Sequence, residues 1–161
     1  MIEIITANLL DAKEKYILHQ TNCVSNKGAA GIAALIFDKY PYADCYSDRT
    51  EPSKPGTIDI CGDGVDNRFV INMHSQYYPG KSKYIESNLD GLLAREKYFH
   101  QGLLRVAKIE NLESIAVNWK IGCGIAGGDW NHLLCTLTNF ANYIETTQGA
   151  KVFIYRREGD E

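Results

Sequence analysis

Gly122-Cys123-Gly124-Ile125-Ala126-Gly127-Gly128-Asp129-Trp130 places four glycines within seven residues. In regular structure each glycine costs roughly 1 kcal/mol relative to alanine. The run therefore reads as a loop whose backbone needs positive φ, close packing or close contact with a ligand. Just upstream, Ser114 to Val117 reads as a short apolar strand. Downstream, Asn131 to Thr146 has helical periodicity, with Asp129 placed to cap it. Strand, glycine loop and helix make one α/β unit. The loop lacks the closing Gly-Lys-Ser/Thr of a P-loop and the spacing of a dinucleotide fingerprint.

A second such unit lies nearer the N-terminus. Tyr16 to His19 is a nearly all-apolar strand, followed by the polar loop Gln20 to Gly28. From Ala29 the pattern turns helical, with Ala30, Ala33, Ala34, Ile36 and Phe37 on one face, and Pro41 stops it. Small residues at the junction, Gly28-Ala29-Ala30-Gly31, allow close approach of a ligand to the backbone. The helix start supplies free amides and a positive dipole end. Two such loops on one sheet edge point to a diphosphate clamped between them. A tight loop that only turns the chain is the alternative for either one alone.

The remaining pattern continues the alternation. Ile2 to Ile5, Thr57 to Cys61, Arg68 to Asn72 and Lys151 to Tyr155 read as strands, the middle two as an antiparallel hairpin turning at 62–67. Tyr84 to Ile109 contains a long helix with Leu89, Leu92, Leu93, Tyr98, Leu103, Leu104 and Val106 as its apolar positions. The expectation is one α/β domain over 1–156 with helices on both faces of a mixed sheet of about six strands. A loose tail, 157–161, follows.

The net charge of -3 and pI near 5.8, with no basic block, argue against non-specific nucleic-acid binding. Lys27, Lys81 and Lys83 leave room for a local basic patch. Five widely spaced cysteines without Cys-x-x-Cys fit neither a disulfide framework nor a zinc finger. Asp63 and Asp66 read as turn formers, and no metal or cofactor is expected. No signal peptide or membrane span is evident, so a reducing, cytoplasmic location is the default. Cys45, Cys61 and Cys135 read as packing residues, Trp130 as a core anchor, and Tyr77 and Tyr78 as a lid or as sheet packing.

Several segments together resemble the macro domain family. They are Ile17-Leu18-His19-Gln20-Thr21-Asn22-Cys23, Gly28-Ala29-Ala30-Gly31-Ile32-Ala33, Lys39-Tyr40-Pro41, Asn72-Met73-His74-Ser75-Gln76 and Ile121 to Trp130. The resemblance implies a three-layer α/β/α fold and an ADP-ribose-like ligand. By it, Asn8 and Leu9 would hold the adenine, with Asn8 where many members carry Asp. Tyr155 or Arg156 would stack on that base. Asn22 and Gln76 would border the distal ribose, with His74 as another candidate there. Ala30, Gly31 and Ile32 would bind one phosphate. Gly122, Cys123, Gly124, Ile125, Ala126 and Gly127 would wrap the diphosphate.

The most similar subgroup includes ADP-ribose 1''-phosphate phosphatases and lysine-dependent de-ADP-ribosylating enzymes. Gln76 stands where the lysine of the latter is expected, and Ala126 where glutamate-directed members carry an acid. His19-x-x-Asn22 matches the phosphatase arrangement. The expectation is metal-independent hydrolysis of ADP-ribose 1''-phosphate, with His19 and Asp129 catalytic. The alternatives are removal of ADP-ribose from protein or nucleic acid, and a reader without chemistry. His19 as a satisfied buried histidine and Asp129 as a helix cap are the structural counterparts of those roles.

Overall fold

A computed structural model describes residues 1–62, 65–83 and 87–161. Six strands are present: β1 (Ile2–Thr6), β2 (Tyr16–Asn22), β3 (Ile58–Cys61), β4 (Phe69–Gln76), β5 (Ser114–Asn118) and β6 (Lys151–Arg156). They form one sheet in the order β1-β6-β5-β2-β4-β3. All pairs are parallel except β3 with β4, the expected antiparallel hairpin. Three helices, α1 (Gly31–Lys39), α2 (Leu92–Val106) and α3 (Trp130–Gln148), complete the expected three-layer α/β/α fold with a mixed sheet.

Side-chain alternation along the strands builds two cores. On β2, Tyr16 and Leu18 enter the core beneath α2 and α3, whereas Ile17 enters the core beneath α1. Ile71 and Met73 against Val70 on β4, and Ile115 and Val117 against Ala116 on β5, repeat that division. Both faces of the central strands are dry, which is why they read as continuous apolar runs.

Three readings are corrected. The long helix starts at Leu92, and its buried stripe is Arg95, Phe99, Gly102, Leu103 and Val106. This spacing turns Leu93 and Leu104 to solvent, and Leu89, which precedes the helix, is exposed as well; the helix itself lies within the expected 84–109 segment. The tail is tied down: Trp119 Nε1 donates to Glu161 O at 3.0 Å and Arg156 Nε to Asp160 O at 2.9 Å. Cys135 is exposed on α3 and is not a packing residue. In the hairpin turn, Val65–Asn67 forms a 3₁₀ turn and Asp63 lies outside the described residues. No helix among the described residues is long and apolar enough to cross a membrane.

Candidate ligand-binding site

β5, β2 and β4 lie side by side in the sheet, and their last residues, Asn118, Asn22 and Gln76, line one cleft of about 400 Å³. A cleft beyond the carboxyl ends of parallel strands is where α/β folds hold ligands, and this volume suits a small molecule. Its long walls are the two loops singled out in the sequence, Gly28 to Ala33 and Gly122 to Ala126.

Backbone donors converge from both walls. α1 begins with Ala30 at its N-cap, and no side chain caps it. Its first-turn amides and positive dipole end remain available. In the opposite wall, Cys123 N donates to Lys120 O at 2.9 Å, and Gly127 N and Gly128 N close on Gly124 O and Gly122 O at 3.1 and 2.9 Å. The intervening amides of Gly124, Ile125 and Ala126 meet no acceptor among the described residues. Such paired rows of N–H groups suit anionic oxygens without needing a basic side chain.

Two glycines are required by this geometry. Gly31 has φ 61° and a Cβ there would lie 3.0 Å from Ile125 Cδ1, where the two walls meet. Gly122 has φ 77° and a Cβ would fall 2.9 Å from Gln20 Oε1. Gly124 differs, since a Cβ there meets nothing within 4 Å.

The floor is a chain of amides. Ser75 Oγ donates to Gln20 Oε1 at 2.6 Å, Gln20 Nε2 to Gln76 Oε1 at 2.6 Å, and Gln76 Nε2 to Tyr78 O at 2.9 Å. Asn22 is used locally: its Oδ1 accepts from Val24 N and Ser25 N, and its Nδ2 donates to Ser25 Oγ. Its backbone N donates to Tyr46 Oη at 2.9 Å, which places Tyr46 in the wall. Burial pushes the Tyr46 phenol up to about 12. Trp119 lines the cleft beside Asn118, with the Arg156 guanidinium 4.6 Å from its ring centroid.

A buried ion pair joins the walls to the 77–80 segment. Arg95 donates to both carboxylate oxygens of Asp90 at 2.9 and 2.7 Å, to Gly80 O at 2.7 Å, to Tyr78 O at 3.1 Å and to Ala126 O at 3.3 Å. Asp90 also accepts from Tyr77 N at 2.7 Å. Pro79 and Gly80 thereby line the cleft, whereas Tyr77 and Tyr78 pack edge to face outside it.

Of the expected ligand residues, Asn22, Ala30, Gly31, Ile32, Gln76, Gly122, Cys123, Gly124, Ile125 and Ala126 line this one cleft. Gly127 does not, and instead packs against the Lys81 stem. Asn8 caps the 3₁₀ turn Leu9–Asp11 by accepting from Leu10 N, and Leu9 is core. Tyr155 is buried in the α1-side core, where burial and Glu14 push its phenol up to about 12. None of these three lines the cleft.

The expected catalytic pair is not brought together there either. His19 is fully buried, stacked edge-on against Phe37, with Nε2 donating to Asn72 Oδ1 at 2.5 Å. Its Nδ1 has no partner among the described residues, and burial drives its pKa down to about 4. It is a neutral core histidine. Asp129 is the N-cap of α3, accepting from Asn131 N at 3.1 Å and His132 N at 3.5 Å. His74 is also buried, between Thr21 and Asp59, and lies outside the cleft. Among the described residues the lining holds no carboxylate and no imidazole. Burial pushes the thiol of Cys123 up to about 11, which disfavours a nucleophilic role.

Sequence reading missed Gln20, Tyr46, Asn118 and Trp119. Period-2 alternation from Leu18 places Gln20 opposite His19, and the packing of His19 against Phe37 leaves Gln20 on the cleft side. Nothing in the spacing marks Tyr46.

No family model matches the sequence, and no curated protein matches it. Among solved structures, the chain is similar to the macrodomain of Mycobacterium tuberculosis DarG, with TM-score 0.72 and 23% identity, covering 98% of this chain and 99% of that one. The macrodomain of Thermus aquaticus DarG follows at TM-score 0.69 and 22% identity, covering 97% and 98%. A glycine-to-valine variant of the Oceanobacillus iheyensis macrodomain, solved with ADPR, has TM-score 0.67 and 17% identity, covering 96% and 83%. The sheet order, the layers and these likenesses together establish that the chain has the macrodomain fold.

Proposed function

We propose that the chain binds ADP-ribose in the cleft between its two loops, with the diphosphate between the first turn of α1 and the Gly124–Ala126 amides. The supporting observation is that two rows of backbone donors lie on opposite walls of one cavity without an acceptor among the described residues. Two facing rows match two phosphates better than one. The solved macrodomain with ADPR bound supports the same ligand class. Trp119, backed by Arg156, offers a flat surface for a base at the Asn118 side of the cleft.

The reading we favour is a binder of ADP-ribose or of ADP-ribosylated macromolecules. Among the described residues the lining offers no carboxylate or imidazole for proton transfer, and burial pushes the Tyr46 phenol and the Cys123 thiol well above neutrality. Hydrolysis of ADP-ribose 1''-phosphate through His19 and Asp129 loses support from their positions. Calorimetric titration with ADP-ribose, ADP and AMP tests binding, and phosphate release from ADP-ribose 1''-phosphate tests turnover. Saturable ADP-ribose binding with no phosphate release removes the phosphatase, and no release of ADP-ribose from modified protein or nucleic acid then supports the reader. Phosphate release that survives loss of both His19 and Asp129 would establish an enzyme using another group.

A further inference from the structure

On the α1 face of the sheet, away from the cleft, Cys45 Sγ, an Asp59 carboxylate oxygen and a His74 ring nitrogen lie within 4.8 Å of one another. They come from three separate segments: the turn after α1, β3 and β4. No short sequence spacing could announce them. Burial grades across the trio, with His74 buried, Cys45 half-buried and Asp59 open to solvent.

The His74 ring is fixed from both sides. Thr21 Oγ1 lies 2.7 Å from Nδ1 and Asp59 Oδ2 lies 2.8 Å from Nε2. In the metal-free chain Nε2–H donates to Asp59, and because the threonine hydroxyl can donate or accept, the ring can take the other tautomer, with its proton on Nδ1 against Thr21 and the Nε2 lone pair free for a metal. Metal-binding imidazoles are oriented in this way by a hydrogen bond at the other nitrogen. Arg49, anchored to Ser25 O and Ser53 Oγ at 3.0 Å each, lies 4.0 Å from Cys45 Sγ. Its charge draws the thiol toward thiolate, while burial, the larger effect, pushes it up to about 12. One carboxylate beside a guanidinium is a poor cage for a hard cation. Thiolate, imidazole and carboxylate together select a borderline-soft one.

We propose that Cys45, Asp59 and His74 bind Zn²⁺ and thereby pin the 44–49 segment to the β3–β4 edge, with a water completing the shell on the open side. On binding, Cys45 loses its proton to solvent and its sulfur bonds the metal. The Nε2 proton that His74 donates to Asp59 leaves to solvent, Nδ1 takes up one proton and donates it to Thr21 Oγ1, and the neutral ring and the Asp59 carboxylate each form one bond to the metal. Tyr46 follows Cys45 directly and receives the Asn22 amide in the cleft wall. The metal thus stiffens that wall without touching ligand.

Titration of the purified chain with Co²⁺, followed by absorption, tests the site. About one equivalent is expected to give tetrahedral d–d bands and a thiolate-to-metal charge-transfer band, both removed by Zn²⁺. Cys45→Ser should abolish the charge-transfer band, while Cys135→Ser, exposed on α3, should keep it. Asp59→Asn should shift the d–d bands, and Thr21→Val should weaken Zn²⁺ about 10- to 100-fold. Thermal unfolding without metal checks that each variant is folded, and Asp59→Asn serves if Cys45→Ser is not. No charge-transfer band in the parent chain overturns the proposal, as does an unchanged band in folded Cys45→Ser.

Discussion

At the residue scale, Gly124 separates binding from folding. It lines the cleft, and a side chain there meets nothing within 4 Å. Gly124→Val should keep its melting temperature and yet weaken ADP-ribose at least 10-fold, about 1.4 kcal/mol, because the methyl groups fill ligand space. His19 shows the converse. Its ordinary value is 6.5 and burial holds it near 4 in the folded chain, so between those values only the unfolded chain takes up the proton. Stability should therefore fall as pH drops from about 6.5 to about 4, by roughly 3 kcal/mol from this group. Denaturant midpoints across that window should flatten in His19→Gln. Affinity for ADP-ribose should stay within about twofold in His19→Gln and in Asp129→Ala, the latter losing about 1 kcal/mol of cap stability. A large loss of affinity in either would put that residue back in the site.

At the scale of elements, the Arg95–Asp90 pair makes the 77–80 segment and the second loop one unit with α2. Both side chains are at least nine-tenths buried, and three backbone carbonyls depend on the guanidinium. Arg95→Met leaves Asp90 buried without its partner, an arrangement that costs about 3–5 kcal/mol. Chemical denaturation should show that loss, with faster amide exchange at 77–82 and 124–127. An effect below 1 kcal/mol would mean that the loops hold their shape without the pair. Arg95 also explains a limit of sequence reading. A helix whose inward stripe includes an arginine does not score as amphipathic at that position, and Arg95 was absent from the expected apolar positions. The two loops were legible for the opposite reason: glycine clusters have few explanations other than backbone contact.

At the scale of the whole molecule, alternating apolar runs disclosed the layers, and period-2 alternation divided each strand between two cores. Period-2 alternation puts Gln20 and His19 on opposite faces of β2, but does not say which of those faces meets the cleft. His19 and Gln20 are adjacent in sequence and opposite in space, and only packing of Phe37 against His19 decides between them. Asn8, Leu9 and Tyr155, expected at the adenine, lie outside the cleft lining: Asn8 caps a 3₁₀ turn, and Leu9 and Tyr155 join the α1-side core, whose neighbours are distant in sequence. The cleft was legible where the backbone makes it and illegible where side chains such as Tyr46 and Trp119 close it. The decisive property of the cleft is recognition of a diphosphate by backbone amides on both walls, and isothermal titration with ADP-ribose, against ADP and AMP, measures it. Saturable 1:1 binding of ADP-ribose is expected, with a dissociation constant on the order of micromolar, ADP weaker and AMP weaker still. Absence of ADP-ribose binding at millimolar concentration, or equal binding of AMP, would rule out a two-walled diphosphate site.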